Sequence, residues 1–373
     1  MTLRRKLRLA LVGGGPGSFI GPIHLMAARL DHEFELAAGT FSRDLVRSRD
    51  AGETYGLAPD QIYDDYRDML RREVQNLDVV CITTPNDTHH AIALTALEAG
   101  LHVMSDKPAT LDLAEALDLR DAIARSGRQY GLTYTYAGYP MVREARSVIA
   151  DNRLGEIRKI VVEYPQGWLA QPISNRQADW RTDPAHAGAG GCIGDIGIHA
   201  FHLAEFVTGL KVQSLCADLG RVVPGRSLDD DCNVLLHFAG GARGVLIASQ
   251  VSTGALNGLR LQVYGTLGGL EWQQESPNLL SLKFLNAPHE IRHAGGPYLS
   301  ADAKRATRLP AGHPEGYIEA FANLYRDFAE QIHDVQPATH APGIEDGIRG
   351  MAFIETAVRS SAAAAWCDLR DEL

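Results

Sequence analysis

Cysteine is scarce in this chain and carries no pattern. Cys81, Cys192, Cys216, Cys232 and Cys367 are scattered, odd in number and free of C-x-x-C spacing. They exclude a disulfide framework or a zinc ribbon and read as small buried residues in a reducing compartment. No apolar run approaches the length that spans a bilayer. Positive charge is also short: 36 Lys and Arg stand against 46 Asp and Glu, a net charge of −10. A general nucleic-acid binder needs a basic face to neutralise phosphates, so that class is excluded. Internal repeats, low-complexity tracts and an apolar leader are missing as well. The expectation is a cytoplasmic protein with neither membrane nor nucleic acid as partner.

What the chain does have is length and glycine. Its 373 residues exceed one ordinary core, so two domains are expected. Leu7–His24 runs an apolar strand into closely spaced glycines and then into helical sequence. Such a turn lets a pyrophosphate approach the backbone, and the following helix offers unpaired N–H groups and a positive dipole end. Gly13 and Gly15 fit the first two positions of G-x-G-x-x-G, and Gly21 is best placed to pack the helix. The loop is then lengthened around Pro16, Gly17 and Ser18, with Phe19 and Ile20 leading into the helix. The candidate dinucleotide contacts are Gly13, Gly15, Gly17, Ser18, Phe19, Ile20 and Gly21. A tight structural turn is the competing interpretation.

From residue 7 to about 135, short apolar strands alternate with helical segments, which predicts a doubly wound parallel sheet. Ligands of such a fold bind at the carboxyl ends of the strands. After about residue 140 the texture changes to partly alternating strands flanked by helices, the pattern of an α+β domain with a large, mostly antiparallel open sheet. The expected division is a Rossmann domain over 1–135 and a substrate-binding and oligomerisation domain over 136–373, with the last helix able to pack back on the first. Residues 165–189 and 287–312 have little periodicity and read as binding loops or surface.

Two constellations carry chemistry. Asp106-Lys107-Pro108 follows the fifth strand, where an ammonium can polarise a substrate hydroxyl or ketone; a surface lysine in a proline turn is the plain alternative. In Gly190-Gly191-Cys192-Ile193-Gly194-Asp195-Ile196-Gly197-Ile198-His199, Asp195 and His199 are four apart, so a helix would set them on one face. An imidazole suits removal of an alcohol proton, and a carboxylate beside it can orient it. Asp195 as a helix N-cap is the competing assignment. No metal is expected, because the His199/His202 pair lacks a third ligand pattern.

These residues, together with Thr84-Pro85-Asn86 and the Glu98–Val103 stretch ahead of the lysine, occur in an order that resembles the glucose–fructose oxidoreductase/inositol dehydrogenase (Gfo/Idh/MocA) family. The resemblance spans essentially the whole chain. It implies a homodimer or homotetramer that passes hydride between NAD or NADP and a secondary hydroxyl of a sugar, cyclic polyol or glycoside. By position, Lys107 would hydrogen-bond the reacting oxygen, His199 would be the general base, and Asp195 would position it or bind a neighbouring hydroxyl. Thr84, Pro85, Asn86 and His89 match the turn that touches the cofactor, and Asp106 and Lys107 border it. Some relatives instead use tightly held NAD for a transient oxidation and elimination, which makes a glycoside hydrolase or lyase the alternative activity.

Two departures stand out. Asp106 replaces the usual Glu and is one methylene shorter. At the end of strand two, Thr40-Phe41-Ser42-Arg43-Asp44 places no acid where an NAD ribose is usually held. Ser42 and Arg43 can hold a 2′-phosphate, or Ser42 can bind an NAD ribose, and the sequence leaves both open. Further substrate-pocket candidates are Tyr136, Tyr164, Gln166, Trp168, Arg181 and His313. They combine flat aromatic surface with polar groups that suit a sugar, although the tryptophans serve equally well as core. Arg181 stands out because its fork can hold hydroxyls or a carboxylate.

Overall fold

The computed structural model describes residues 5–173, 175–334 and 341–369. Two compact units divide the chain: residues 1–135 with 317–348, and residues 136–316 with 349–373. Residues 317–348, expected in the second domain, therefore group with the first.

The first unit begins with β1 (Leu7–Gly13), α1 (Ile20–Leu30), β2 (Phe34–Thr40), α2 (Leu45–Thr54), β3 (Ile62–Tyr63) and α3 (Tyr66–Glu73). It continues with β4 (Val79–Thr83), α4 (His89–Glu98), β5 (His102–Ser105), α5 (Leu113–Ser126) and β6 (Tyr130–Leu132). The six strands form one parallel sheet in the order β3-β2-β1-β4-β5-β6. Strand β4 (VVCIT) is buried along its whole length, as a central parallel strand covered on both faces must be. The order reverses direction between β1 and β4, which creates a crevice at their carboxyl ends. Helix starts are specified locally: Asp44, Asp65 and Asp112 cap α2, α3 and α5 with their carboxylates.

The second unit contains α6 (Pro140–Ala150), β7 (Ile157–Pro165), α7 (Arg176–Arg181), α8 (Pro184–Ala187) and α9 (Ile198–Thr208). Strands β8 (Val212–Gly220), β9 (Asp231–Phe238), β10 (Arg243–Ser249), β11 (Arg260–Gly265), β12 (Gly268–Gln273), β13 (Leu279–Phe284) and β14 (Glu290–His293) follow, then α10 (Ala301–Arg305). Helix α11 (Tyr317–Ile332) belongs to the first unit, α12 (Ile344–Ala363) begins there and ends in the second, and β15 (Cys367–Asp368) closes the description. The nine-stranded sheet runs β14-β13-β12-β11-β7-β10-β9-β8-β15. Its pairs are antiparallel except β7 with β10. Alternation gives the sheet a covered face: Ile160, Val162 and Tyr164 of β7 and Cys232, Val234, Leu236 and Phe238 of β9 are buried, and α6 and α9 pack on this sheet. The two aperiodic stretches hold short elements, α7 and α8 in the first and β14 and α10 in the second. Cys81, Cys192 and Cys232 are buried, whereas Cys216 and Cys367 are only half-buried. No helix among the described residues is long and apolar enough to cross a membrane.

Candidate active site

The glycine loop is shaped by close approach. Gly13 has φ of 101°, and a Cβ there would fall 2.6 Å from the Thr83 carbonyl oxygen of β4. A Cβ on Gly21 would fall 2.3 Å from Gly14 Cα, so Gly21 is what lets α1 lie against the turn. Gly15 is buried against the Phe41 carbonyl, and Tyr55 donates to the Gly14 carbonyl at 2.6 Å. Gly17 and Phe19 are exposed, and Ser18 and Ile20 are half-buried. Helix α1 starts without a side-chain cap from Phe19 and with no acid in its first turn, although the Ser18 hydroxyl accepts the Gly21 N–H at 3.3 Å. A helix start with no acid in its first turn, behind a backbone-lined turn, fits a pyrophosphate. Gly15→Ala would put a Cβ 2.2 Å from the Phe41 oxygen. Because that atom is backbone, the variant is expected to lose at least about tenfold in dinucleotide affinity, read by fluorescence titration.

At the end of β2, Ser42 accepts the Asp44 N–H at 3.1 Å and Arg43 is exposed. Asp44 already takes the Val46 and Arg47 N–H groups at 2.9 and 3.2 Å. The turn after β4 is tied to the lysine turn by His89, which is buried. Its ring nitrogens lie 2.8 Å from the Pro108 carbonyl and 2.8 Å from the Thr84 carbonyl. Asn86 is buried beside it, Pro85 precedes it, and the Thr88 hydroxyl donates to Thr84 Oγ1 at 2.7 Å. Lys107 is half-buried, and its backbone N–H donates to Asp106 Oδ1 at 2.9 Å; the Lys107–Pro108 peptide is cis.

In the second unit, Asp195 lies in a π-helical turn, Ile193–Gly197, that runs into α9, where His199 sits half-buried. The expected α-helical spacing is thus widened by one residue per turn. Two groups hold the Asp195 carboxylate at Oδ2: Gln250 donates from Nε2 at 2.8 Å, and Arg181 Nε lies 3.3 Å away. Arg181 is itself placed over the Trp180 ring at 4.2 Å and over Trp168 at 5.9 Å. His199 meets the Tyr136 ring edge-on at 5.1 Å and Tyr164 at 6.4 Å. Tyr136 and Tyr164 share a hydrogen bond, and Tyr164 donates to Asn257 Oδ1 at 2.7 Å. The same Asn257 oxygen takes Gln166 Nε2 at 2.8 Å, and Trp168 Nε1 donates to Gln166 Oε1 at 3.0 Å. Burial pushes the Tyr136 hydroxyl up to about 12, despite the hydrogen bonds from Tyr164 and Asn257. The hydroxyl is therefore protonated and neutral at neutral pH.

The backbone of this turn is anchored from below. Asp229 accepts the Gly191 and Ile193 N–H groups at 2.7 and 2.8 Å, and burial raises its pKa. Cys192, Asp229 and Cys232 bring donor atoms within 4.8 Å of one another. Yet both Asp229 oxygens serve the backbone, and the Cys232 thiol donates to the Ala248 carbonyl at 3.2 Å, so this group stabilises the turn as a hydrogen-bonded core. His313 is exposed on a separate turn, its ring nitrogen 3.2 Å from the Pro310 carbonyl. Gln250 and Asn257 were not singled out from the sequence.

Residues 7–134 match the profile described as the oxidoreductase family, NAD-binding Rossmann fold, and residues 142–271 match the GFO/IDH/MocA C-terminal domain. The protein is an NAD(P)-binding oxidoreductase. The chain belongs to the GFO/IDH/MocA family. It is similar to an uncharacterized oxidoreductase of Bacillus subtilis (strain 168), at 33% identity over 99% of this chain and 98% of that protein. An inositol dehydrogenase homolog from Azotobacter vinelandii, solved with NAD+, superposes with a TM-score of 0.95 at 36% identity, covering 98% of both chains. The same homolog solved with NADH and myo-inositol gives a TM-score of 0.93 at 35% identity, covering 98% of both chains. Levoglucosan dehydrogenase in complex with NADH and levoglucosan gives a TM-score of 0.86 at 25% identity, covering 98% of this chain and 99% of that one.

Proposed function

We propose that the protein oxidises a secondary hydroxyl of a cyclic polyol or sugar, using NAD. The observation that carries this reading is the Asp195 carboxylate held by Gln250 and Arg181 beside His199, within a wall of Tyr136, Tyr164, Gln166 and Trp168. Such a surface offers acceptors, donors and flat rings to a ring of hydroxyls. Likeness to the inositol dehydrogenase homolog supports a cyclic polyol as the first substrate class to try.

When bound, the nicotinamide supplies the hydride acceptor. The glycine loop and the open start of α1 hold the pyrophosphate, with Thr84–Asn86 bordering the crevice. Lys107 donates a hydrogen bond to the reacting oxygen and stabilises negative charge as its proton leaves. His199 takes that proton, and Asp195 accepts a hydrogen bond from a neighbouring hydroxyl. Arg181 keeps the charge of Asp195 compensated, which fits a neutral substrate better than a carboxylate-bearing one. No observation favours the hydrolase or lyase alternative.

NAD is preferred over NADP in this reading because Asp44 already satisfies the first amides of α2 and adds a negative charge beside Ser42 and Arg43. A 2′-phosphate there would meet that carboxylate. The test is nicotinamide reduction with inositols, aldoses and glycosides, run with both nucleotides. The expected result is reduction with a polyol and a kcat/KM at least about tenfold higher for NAD+, the size of one unfavourable charge contact. Equal use of NADP+ would overturn the assignment at Ser42 and Arg43.

A further inference from the structure

Beneath the Asp106–Lys107 turn of the first unit lies a buried group of titratable side chains that the mechanism above leaves unused. His24, on α1, is fully buried. Its Nδ1 lies 2.8 Å from the Tyr325 hydroxyl of α11 and 3.4 Å from Cys81 Sγ of β4. Its Nε2 lies 3.8 Å from Asp106 Oδ1. The rings of Phe321 and Tyr325 pack edge-on against the imidazole, at 5.0 and 5.9 Å between centroids. Asp106 Oδ1 also accepts the backbone N–H of Lys107 and the Thr133 hydroxyl, each at 2.9 Å. One carboxylate oxygen thus stands between an imidazole of the dinucleotide helix and the backbone of Lys107.

The geometry points to His24 as a positioning residue for Lys107: through Asp106 it ties the turn that carries the lysine to the helix that opens on the dinucleotide loop. This rests on the reading of Lys107 as the group that meets the reacting oxygen. The groups facing the pair are Cys81 from β4, Tyr325 from α11, and Lys107, His89 and Tyr130 of β6 around Asp106. Burial opposes charge on His24, but the Cys81 sulfur and the Asp106 carboxylate outweigh it and raise the imidazole to about 10. Burial likewise opposes charge on Asp106, and His24, with Lys107 and His89, holds it well below the usual carboxylate range. The pair resists separation because a charged His24, fully buried, would be left without its carboxylate if Asp106 moved away. Asp106 therefore cannot follow a shifting loop without breaking the pair. The raised imidazole contributes stability that is fully present below about 6.5 and is lost as pH rises through about 10.

The test compares His24→Gln, Asp106→Asn and the double variant with the wild-type protein. Each single variant is expected to lose about 100-fold in kcat, the cost of misplacing a reacting group by a fraction of an ångström. Nucleotide Kd and polyol KM should stay within about threefold, and the double variant should lose no more than either single one, since the two residues act as a unit. A wild-type kcat in His24→Gln, or losses that multiply in the double variant, would overturn the inference. So would a kcat loss matched by the loss of nucleotide affinity. A readout independent of turnover is the histidine ring nitrogens observed by NMR with 15N-labelled histidine. His24 should keep both ring protons at about pH 8, where an ordinary imidazole is neutral, and Asp106→Asn should lower the pH at which one of them is lost. If the wild-type protein oxidises no polyol, the substrate reading fails alone; a neutral His24 at that pH would overturn the pair itself.

Discussion

Lys107→Met is expected to lower kcat by about a thousandfold while leaving nucleotide affinity within about threefold. Methionine keeps most of the length and apolar stem of lysine and removes only the ammonium. The turn that presents residue 107 is held by backbone and by other side chains: Asp106 takes the residue 107 N–H at 2.9 Å, and His89 reaches the Pro108 carbonyl at 2.8 Å. Neither bond involves the lysine side chain, so the substitution should leave the turn standing. The position itself explains the size of the effect. Residue 107 follows β5 at the carboxyl end of a parallel sheet, where this fold places its ligands, and in the proposed reaction its ammonium would stabilise the oxygen whose proton is leaving. Steady-state kinetics with the best polyol and a fluorescence titration with NAD+ separate the two quantities. Wild-type turnover in the variant would remove Lys107 from the mechanism.

His199→Gln carries the second large effect, a fall in kcat of about 100-fold to 10,000-fold, the range that general-base removal produces. Glutamine preserves polarity and approximate size, so packing against Tyr136 and Tyr164 should survive, and KM should change far less than kcat. His199→Ala, which leaves a cavity the size of the ring, should regain part of the lost rate when imidazole is added. The carboxylate keeps its place without His199 because Gln250 and Arg181 hold it at 2.8 and 3.3 Å. A purely structural histidine would give the opposite pattern: a lowered Tm, no rescue by imidazole and a kcat that recovers at low temperature. The two variants act on different units of the chain, and each can be read without the other.

Much of this was legible in the sequence because the strongest signals are local. The β1–glycine–α1 run states its own structure, since Gly13 needs positive φ and Gly21 must lie against Gly14. The alternation of short apolar strands with helices of ten or so residues predicts the parallel sheet that is observed. Strand β3 leaves no periodic signal because it is two residues long, and β13 and β14 leave little because they are partly exposed strands within or beside aperiodic sequence. Residues 317–348 group with the first unit for a reason no local pattern carries: α11 packs on α1, and Tyr325 reaches His24 across 301 residues of chain.

Of the candidate site, the sequence marks the groups proposed to react and not the residues that hold them. Lys107, Asp195 and His199 lie in recognisable motifs. Gln250 and Asn257 lie in no motif, and they become visible only when the sheet brings them to Asp195, 55 residues away, and to Tyr164, 93 residues away. The π-helical turn at Ile193–Gly197 was also beyond reach, because its glycine-rich sequence is as compatible with an ordinary helix start. His24 is the same case in the first unit. Its partners come from β4, the turn after β5 and α11, and only the fold assembles them.

The most direct test of the account is hydride transfer itself, measured with myo-inositol carrying deuterium on its ring carbons and NAD+ in excess. The account predicts one deuterated, reduced nicotinamide for each ketone formed, with a slower rate for the deuterated than for the ordinary substrate. Substrate consumed with no reduced nicotinamide accumulating, or with the deuterium returned to the product, would contradict it.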